Sequence, residues 1–408
     1  MAIPRQRIHL PKGAWTGAIG SLISGDLWEG PSVARFEREF AKAIGSADAV
    51  TVPSGRAGFK FLFESLGLEP GGEVICSAFG YPIVPFIVKK LGYDLSFVDC
   101  ETKTLGMDPE ALETRISDTT QAVIATHLYG VPCKIDRIAE ICRKHGVVLI
   151  EDCAHCFGAA VGGKRVGSFG DAGCFSFETS KVINTMGGGM VTVRDTELAE
   201  KIRAAGAKEN RNGFKWLFRR LFKTTFEATV TNRLVFNLGV YQALRMASGG
   251  DGDDRFASGY HGDEVSLAGK MGRYTNYQAK LGVRQMPGVS AINERRRHNA
   301  ERLFSKLDGR VHMQQPAGPE CEANYMLVTG LFPDLREVAD ALLKKGIDTK
   351  HLYMRDCSRM FEGAGDFPNA VRAEREALHL PAFAELSDRD IDRVATAVES
   401  STSGAPAG

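Results

Sequence analysis

The feature that most constrains this chain is a regular alternation of short apolar runs with amphipathic helical patterns. The apolar runs predict buried strands at residues 49–52, 73–76, 95–99, 122–130, 147–152, 174–177 and 189–193. Helical patterns lie between them, as in residues 33–45, where Phe36, Phe40 and Ile44 recur on one stripe. Strands that alternate with crossover helices pair in parallel and are covered on both faces. We therefore predict an α/β fold with a mostly parallel sheet sandwiched by helices.

The alternation breaks in two places. Residues 209–270 lack the strand–helix pattern and end in the Gly/Asp-rich stretch SGGDGDDRFASGYHGD. After about residue 290 an apolar strand between helical stretches predicts a smaller α+β domain. The predicted segments are an N-terminal arm (1–30), a large α/β domain (31–208), an inserted amphipathic helical segment with a loop (209–270), a linking helix with a small C-terminal domain (271–400) and a disordered tail (401–408).

Bulk composition argues against several classes of protein. The 408 residues include 51 Lys and Arg against 50 Asp and Glu, a net charge of +1, which gives no global field for nucleic acid. Nine cysteines without a regular framework fit a reducing cytoplasm better than a disulfide scaffold. The first residues contain no apolar h-region, and no apolar run reaches the length of a membrane span. We expect a cytoplasmic protein without a nucleic-acid partner.

Two short motifs look like known sites but fit simpler explanations better. GAAVGGKR (158–165) begins like a phosphate-binding P-loop, but Arg165 stands where that loop needs Ser or Thr. A helix should also follow, and RVGSFGDAG (165–173) cannot form one. CAHC (153–156) has no second cysteine pair to complete a zinc site, and Gly158 hinders a thioredoxin-like helix. We interpret the first as a loop-closing glycine cluster and the cysteines as small buried hydrophobes, and we expect no metal site.

Three features of the large domain suggest chemistry. Asp152 ends an apolar strand, at the sheet edge where α/β folds bind ligands; a structural salt bridge is the alternative. SGR (54–56) forms a turn at a helix N-terminus, which suits an anion such as phosphate but is common in α/β proteins. Lys181 follows a strand and precedes three glycines (187–189). It is either an amine nucleophile in a desolvated pocket or a surface lysine beside a loop.

Together these features match the needs of pyridoxal 5'-phosphate (PLP). A lysine forms a Schiff base with the aldehyde, and a carboxylate keeps the ring nitrogen protonated so that the ring accepts electrons. A helix N-terminus takes the phosphate, and an aromatic side chain, here from the FGY turn at 79–81, stacks on the ring. The sequence thus predicts a PLP site around Lys181.

Nearly the whole chain, moreover, resembles the DegT-type sugar aminotransferases, which are PLP-dependent enzymes with the aspartate-aminotransferase (type I) fold. The motifs that carry the resemblance are SGRAG, EVICSAFGY, ATHLYGVPCKID, LIEDCAHCFGA, GSFGDAGCFSFETSK, GGGMVTV, NYQAKLGVRQM and LHLPAFAELSDRDIDRV. The resemblance implies a type I PLP-dependent transferase fold with a smaller C-terminal α+β domain. It also implies a homodimer whose active site is shared between subunits.

The resemblance assigns roles to individual residues. Lys181 is the expected Schiff-base lysine and proton shuttle, and Asp152 is the expected partner of the pyridinium nitrogen. The expected cofactor-binding residues are Arg56 and Ala57 (backbone phosphate contacts), Tyr81 (ring stacking), Asp152, His155 (near the phenolic oxygen), Ser176 (phosphate) and Lys181. His155 replaces the glutamine usual in the family, and a change in its charge state would add a pH dependence that glutamine lacks.

Some positions depart from the family pattern. Arg56 replaces a phosphate-binding threonine, so a hydroxyl contact is missing. Met271 aligns with an asparagine that the neighbouring subunit lends to the phosphate; Arg273 and Asn276 are the candidates to compensate. A histidine in place of Lys181 would mark the related sugar dehydratases, so the lysine argues against that chemistry.

Residues 212–246, within the predicted insertion, mix aromatic and basic side chains. Phe214, Trp216, Phe218 and Phe222 alternate with basic residues such as Lys215, and the pattern is that of an amphipathic helix. Such a helix binds a membrane surface or a partner, or packs its apolar face on the protein's own core or across a dimer. It would equally serve to line a wide substrate mouth.

The sequence and the resemblance together predict a PLP-dependent aminotransferase. Its amino donor is expected to be L-glutamate or L-glutamine, and its acceptor a nucleotide-linked keto-sugar. One alternative is an aminotransferase that acts on a lipid-linked or hydrophobic ketone or aldehyde, with peripheral membrane contact through residues 212–246. The other is a non-catalytic PLP-binding regulator.

Overall fold

The computed structural model describes residues 1–247, 272–307, 309–351, 354–361, 363 and 365–402. Met271 and the Gly/Asp-rich stretch of the predicted insertion lie outside the described residues. So does most of the predicted tail, although its first two residues continue the last helix, which ends at Thr402. Of the helices that the structure describes, none combines the length and apolarity needed to cross a bilayer.

The first half of the chain forms the predicted strands and their crossover helices. Its helices are α1 (Ala14–Ile23), α2 (Ser32–Ile44), α3 (Gly55–Leu66), α4 (Ile83–Lys90), α5 (Pro109–Arg115), α6 (Ile135–His145) and α7 (Thr196–Ala207). Its strands are β1 (Asp48–Val52), β2 (Glu73–Ser77), β3 (Phe79–Gly80), β4 (Asp94–Val98), β5 (Thr120–Thr126), β6 (Val148–Asp152), β7 (Ala160–Val161), β8 (Lys164–Arg165), β9 (Ala172–Ser176) and β10 (Gly189–Val193). Helix α1 and the short strands β3, β7 and β8 were not predicted, and the strand expected at 122–130 ends at Thr126.

Seven of these strands form the central sheet, in the order β1-β10-β9-β6-β5-β2-β4. The neighbours from β9 through β6, β5 and β2 to β4 pair in parallel, and β10 pairs antiparallel with β1 and β9. The sheet is therefore mostly parallel, as predicted. Its strands are apolar because both faces are covered; Ile124 on β5 and Ile150 on β6 are almost completely buried.

Helix α2 shows how the local sequence sets an element. Phe36, Phe40 and Ile44 lie on one face and are buried, as their spacing predicted. The helix ends at Gly45, whose φ of 79° is the left-handed conformation that glycine adopts without a steric penalty. Phe40 then packs edge-on against Phe175 of β9, with 4.9 Å between ring centroids.

After β10 the chain forms helices first and a second sheet later. Its remaining helices are α8 (Phe214–Val230), α9 (Arg233–Val235), α10 (Tyr241–Ala247), α11 (Asn276–Gln285), α12 (Val289–Leu307), α13 (Leu335–Lys344), α14 (Pro368–Glu376) and α15 (Asp388–Thr402). Its strands are β11 (His312–Met313), β12 (Cys321–Glu322), β13 (Val328–Leu331), β14 (Lys350–His351), β15 (Arg355–Asp356) and β16 (Ala377–Leu380).

The smaller C-terminal α+β domain has its own sheet and core. Strands β11, β13, β16 and β14 form an antiparallel sheet in that order. Leu303 of α12, Leu342 of α13 and Val394 of α15 are buried in the same hydrophobic cluster. The N-terminal arm joins this cluster through Ile3, whose amide donates to the Gly346 carbonyl.

Candidate active site

The carboxyl edge of the parallel strands opens into a cavity of about 420 Å³, which is in the usual size range of small-molecule sites. Strand β6 brings Asp152 to this cavity, and β9 brings Ser176. The loop after β9 contributes Lys181. Of the sequence-predicted site residues, the cavity walls contain Arg56, Tyr81, Asp152, His155, Ser176 and Lys181. The structure thus brings together six residues that the sequence separates by up to 125 positions, from Arg56 to Lys181.

One end of the cavity is formed by the N-terminus of α3. Ser54 caps this helix: its Oγ accepts a hydrogen bond from the Ala57 amide, 3.1 Å away. Gly55 lies against Ser176, because a Cβ on residue 55 would be only 3.6 Å from the Ser176 Cβ. A capped helix N-terminus beside a serine hydroxyl is a suitable site for an anionic group.

The last of the three consecutive glycines lies where that helix end approaches strand β9. A Cβ on Gly189 would overlap the Phe175 carbonyl and lie 3.0 Å from the Gly55 nitrogen. Gly187 and Gly188 have φ values of 121° and 92°, which side chains disfavour. The glycines therefore allow the close backbone approach that places Ser54, Gly55 and Ser176 at one end of the cavity.

Asp152 lies at the end of β6 and is buried, with an exposed fraction of 5%. Its Oδ1 accepts a hydrogen bond from the Ala154 amide, 3.1 Å away. Burial raises the pKa of the carboxyl, while the Ala154 amide and the charge of Lys181 act in the opposite direction. A cation in the cavity would oppose the effect of burial further and favour the charged carboxylate.

His155 is buried and its protonation state is defined by its surroundings. Its Nδ1 accepts a hydrogen bond from the Tyr129 amide, 3.1 Å away, so the neutral ring carries its proton on Nε2. Burial, followed by the charges of Lys181 and Lys350, holds the pKa of the imidazole well below its ordinary value. Burial and the neighbouring lysines thus favour the neutral ring, which donates through Nε2–H as a glutamine would donate through its amide.

We expect His155→Gln to retain activity to within about fivefold, since an amide replaces one neutral donor by another. The pH profiles of kcat/KM for the variant and the wild type should superimpose from about pH 6 to about pH 9, because burial and the charges of Lys181 and Lys350 lower the pKa of His155. Steady-state assays across this range test both statements. A step near pH 6.5 that is present in the wild type and absent in the variant would contradict them.

Beneath the cavity, Glu151 organises the loop after β8. Its carboxylate accepts hydrogen bonds from the amides of Gly167, Phe169 and Gly170 at 2.7–2.8 Å, and His127 Nε2 lies 3.1 Å away. His127, Glu151 and Cys153 are close enough to hold a metal ion. However, the carboxylate oxygens already have four partners, and burial raises the pKa of the Cys153 thiol, followed by the charge of Glu151. We interpret the group as a structural hydrogen-bond cluster.

Removing the charge of Glu151 should destabilise the fold. Glu151→Gln places an amide NH₂ among three backbone donors and removes the partner of His127, so we expect a loss of about 2 kcal/mol in the free energy of unfolding. Urea denaturation followed by circular dichroism measures this loss. Glu113→Gln is the control, since its ion pairs with Arg137 and Lys144 are at the surface and should matter little. Equal urea midpoints for Glu151→Gln and Glu113→Gln would show that the hydrogen bonds of Glu151 do not stabilise the fold.

Helix α8 supplies a wall of the cavity that the sequence interpretation assigned to no site. Trp216, Arg219, Arg220 and Lys223 line it. Arg220 forms a two-pronged ion pair with Glu178, at 3.0 and 3.2 Å. The mixed aromatic and basic composition of residues 212–246 had indicated an amphipathic helix, and lining a substrate mouth was one of its possible roles. The spacing of the residues alone does not say which face of the helix meets the cavity.

Three residues considered for phosphate contacts, Ala57, Asn276 and Arg273, have other hydrogen-bond partners in the structure. Ala57 is absent from the cavity walls, and its amide is the one that donates to Ser54. Asn276, a candidate to compensate for Met271, is engaged with the N-terminal region: its Oδ1 accepts from the Ser32 amide and its Nδ2 donates to the Asp26 carbonyl. Arg273 Nε donates to the Glu209 carbonyl.

The two motifs that were set aside have the structures expected of them. Residues 158–165 contain a hairpin of β7 and β8, with Gly162 and Gly163 at positive φ in its turn, and no helix follows. Cys153 and Cys156 are buried in an aromatic cluster, as predicted for small hydrophobes. All nine cysteines fall within the described residues and are free thiols.

Comparison with known proteins decides the family. A model of the DegT/DnrJ/EryC1/StrS aminotransferase family matches residues 17–399. The chain belongs to this family. It is a PLP-dependent aminotransferase, and the alternative of a non-catalytic regulator has no support from the family or from the intact Lys181 and Asp152.

Named relatives and solved structures agree with this assignment. The chain is 30% identical to the UDP-N-acetyl-3-dehydro-alpha-D-glucosamine 3-aminotransferase of Acidithiobacillus ferrooxidans, over 90% of this chain and 88% of that one. It is 28% identical to the GDP-perosamine synthase of Caulobacter vibrioides, over 91% and 90%. The crystal structure of the aminotransferase TlmJ from Streptoalloteichus hindustanus superposes with a TM-score of 0.77, at 25% identity, over 98% and 99%.

The cavity residues fit PLP. An anion site at the α3 N-terminus, a buried carboxylate and an amine line one cavity, and these match the phosphate, ring nitrogen and aldehyde of the cofactor. When bound, PLP supplies an electron-accepting ring that stores the amino group between the two half-reactions. Lys181 would hold the cofactor and move a proton at its Nζ. Asp152 would keep a positive charge on the ring nitrogen, and His155 would orient the ring through Nε2–H.

Proposed function

We propose that this family member transfers an amino group from L-glutamate or L-glutamine to a nucleotide-linked keto-sugar. The observation that carries the proposal is the arrangement of the cavity, with Lys181 and Asp152 at the sheet edge and a basic wall on α8. A keto-sugar must reach the lysine, while its diphosphate needs cations farther out. The names of the two relatives, one a UDP-sugar aminotransferase and the other a GDP-sugar synthase, support this acceptor class.

Arg219 and Lys223 are the cations best placed for the nucleotide diphosphate. Both side chains are exposed and line the cavity, whereas Arg220 is paired with Glu178. Lys223 has only a loose pair with Glu227, at 3.7 Å. On this proposal the donor amino acid and the acceptor use the same lysine in turn, and the acceptor alone depends on the basic wall.

With PLP and L-glutamate, the enzyme should aminate UDP-N-acetyl-3-dehydro-α-D-glucosamine. With PLP and 2-oxoglutarate, it should run the reverse reaction and deaminate GDP-perosamine. Mass spectrometry of the sugar product detects either reaction. We expect Arg219→Ala to raise the KM for the acceptor about tenfold, because one charge-assisted contact is lost. The rate of the glutamate half-reaction should not change. Lys215→Ala, on the same helix but outside the cavity wall, is the matched control.

Failure of the acceptor proposal can be separated from failure of the enzyme assignment. If glutamate reacts but no nucleotide-linked keto-sugar does, the acceptor class is wrong and the aminotransferase assignment stands. A lipid-linked or hydrophobic ketone is then the second candidate, favoured by the exposed phenylalanines of α8 beside the cavity. The homodimer implied by the family resemblance is part of the same proposal, and sedimentation velocity measures it.

A further inference from the structure

Helix α8 carries four phenylalanines on its outer surface. Phe214, Phe218, Phe222 and Phe226 recur every four residues, so they form one stripe along the helix. Their exposed fractions are 53, 46, 63 and 67%, which is unusual for aromatic side chains. The opposite face of α8, including Leu217 and Leu221, is buried against the protein. The helix is therefore docked on the fold and still presents a second apolar face to its surroundings.

Helix α1 extends this apolar surface. Trp15 of α1 packs edge-on against Phe222 of α8, with 5.2 Å between ring centroids. From that contact, Ile19, Leu22 and Ile23 continue along α1 and are exposed. Of the fourteen exposed large hydrophobic residues among those the structure describes, three lie on α1 and four on α8. This concentration distinguishes the surface from the scattered exposed hydrophobics of ordinary soluble proteins.

Basic side chains border the phenylalanine stripe. Lys215, Arg219 and Lys223 are exposed and are also spaced every four residues, so they form a second stripe next to the first. Helix α8 contains four basic residues and one acidic residue, Glu227. The outer surface of α8 thus combines a continuous aromatic stripe with a parallel row of positive charge.

We propose that the outer surfaces of α8 and α1 bind an anionic lipid bilayer. Phenylalanines enter the boundary between headgroups and acyl chains, and of the flanking basic residues Lys215, which lies outside the cavity wall, pairs with lipid phosphates, whereas Arg219 and Lys223 line the cavity. A second copy of the chain is a poorer fit, because the cores of protein interfaces are depleted in lysine and two copies would bring like charges together. The charge pattern favours phosphate-bearing lipid.

The same helix connects this surface with the active site. Trp216, Arg219, Arg220 and Lys223 of α8 line the cavity. Binding of α8 to a bilayer would therefore place the mouth of the cavity at the headgroup level. The membrane contact does not depend on the chemical nature of the acceptor, and it is testable without any turnover.

Cosedimentation with vesicles tests the proposal on the full-length, PLP-loaded enzyme. We expect binding to phosphatidylcholine vesicles that contain phosphatidylglycerol and at least tenfold weaker binding to phosphatidylcholine alone. Phe218→Ser/Phe226→Ser should reduce binding to the anionic vesicles at least tenfold. Lys215→Glu should reduce it about fivefold, since it reverses one interfacial charge. Ile292→Ser and Lys201→Glu remove an exposed apolar residue and an exposed charge from other helices, and they should bind like the wild type.

Each other outcome overturns the proposal. Absence of binding, or binding that the phenylalanine variant leaves unchanged, would show that this surface does not contact lipid. If the same variant instead dissociates an oligomer in sedimentation velocity and vesicles do not bind, the surface is an interface between copies. Circular dichroism and the absorption of bound PLP establish that each variant is folded, so that a loss of binding is not a loss of structure.

Discussion

Lys181→Ala should lower the rate of amino transfer by about 10²–10⁴-fold, the usual contribution of a positioned acid–base group. Lys181 and Asp152 line the same cavity, and the charge of Lys181 acts on the Asp152 carboxyl. Removing its amine takes away the group that carries the proton in both half-reactions. Stopped-flow absorbance after mixing with L-glutamate measures the first half-reaction directly.

The role of the amine can be separated from damage to the site. Lys201→Ala, on the exposed surface of α7, is the control and should react like the wild type. PLP should still bind to Lys181→Ala through its phosphate, because the α3 N-terminus and Ser176 are unchanged. Added methylamine should restore part of the rate. A variant that retains wild-type rates would show that another group moves the proton.

Asp152→Asn should slow the same half-reaction by about 10²–10³-fold, as expected when a preorganised charge is removed from a buried site. Asparagine has nearly the same shape, and its Oδ1 still accepts from the Ala154 amide, so the strand end keeps its structure. What is lost is the negative charge that favours a protonated ring nitrogen. Rapid-scan absorbance with L-glutamate gives the rate constant, and titration with PLP gives the affinity.

Asp171→Asn is the matched control for this substitution. Asp171 is partly exposed, and it accepts a hydrogen bond from the Leu149 amide on β6, away from the cavity. We expect it to change the rate little. If Asp152→Asn is as fast as this control, the carboxylate does not act on the ring nitrogen, and its role is limited to the hydrogen bond with Ala154.

The arrangement of the central sheet was predictable because the apolar pattern of each strand and the burial of a parallel sheet on both faces require the same residues. An apolar run such as 147–152 is buried on both faces only within a parallel sheet, so its last residue, Asp152, has to lie at the edge that binds ligands. Lys181 alone fitted a surface loop equally well, and it was predicted as a site residue only in combination with Asp152, the turn at 54–56 and the aromatic turn at 79–81.

Other parts of the site depend on contacts that no local pattern encodes. Glu151 precedes Asp152, but its role comes from three amides of a loop sixteen to nineteen residues later. The neutral state of His155 depends on the Tyr129 amide and on burial. The family resemblance assigned the Ala57 amide to the cofactor phosphate, whereas in the structure this amide donates to the Ser54 side chain that caps α3. The cavity wall on α8 follows from how the helix docks, which its composition leaves open.

The most direct test of the account is the absorption spectrum of the wild-type enzyme, reconstituted with PLP, before and after the addition of L-glutamate or L-glutamine. We predict that the visible band of the bound aldehyde form gives way to that of pyridoxamine phosphate, with stoichiometric release of the keto acid. A cofactor spectrum that neither amino acid changes, or no bound PLP at all, would contradict the assignment of Lys181 and Asp152 as the centre of an aminotransferase.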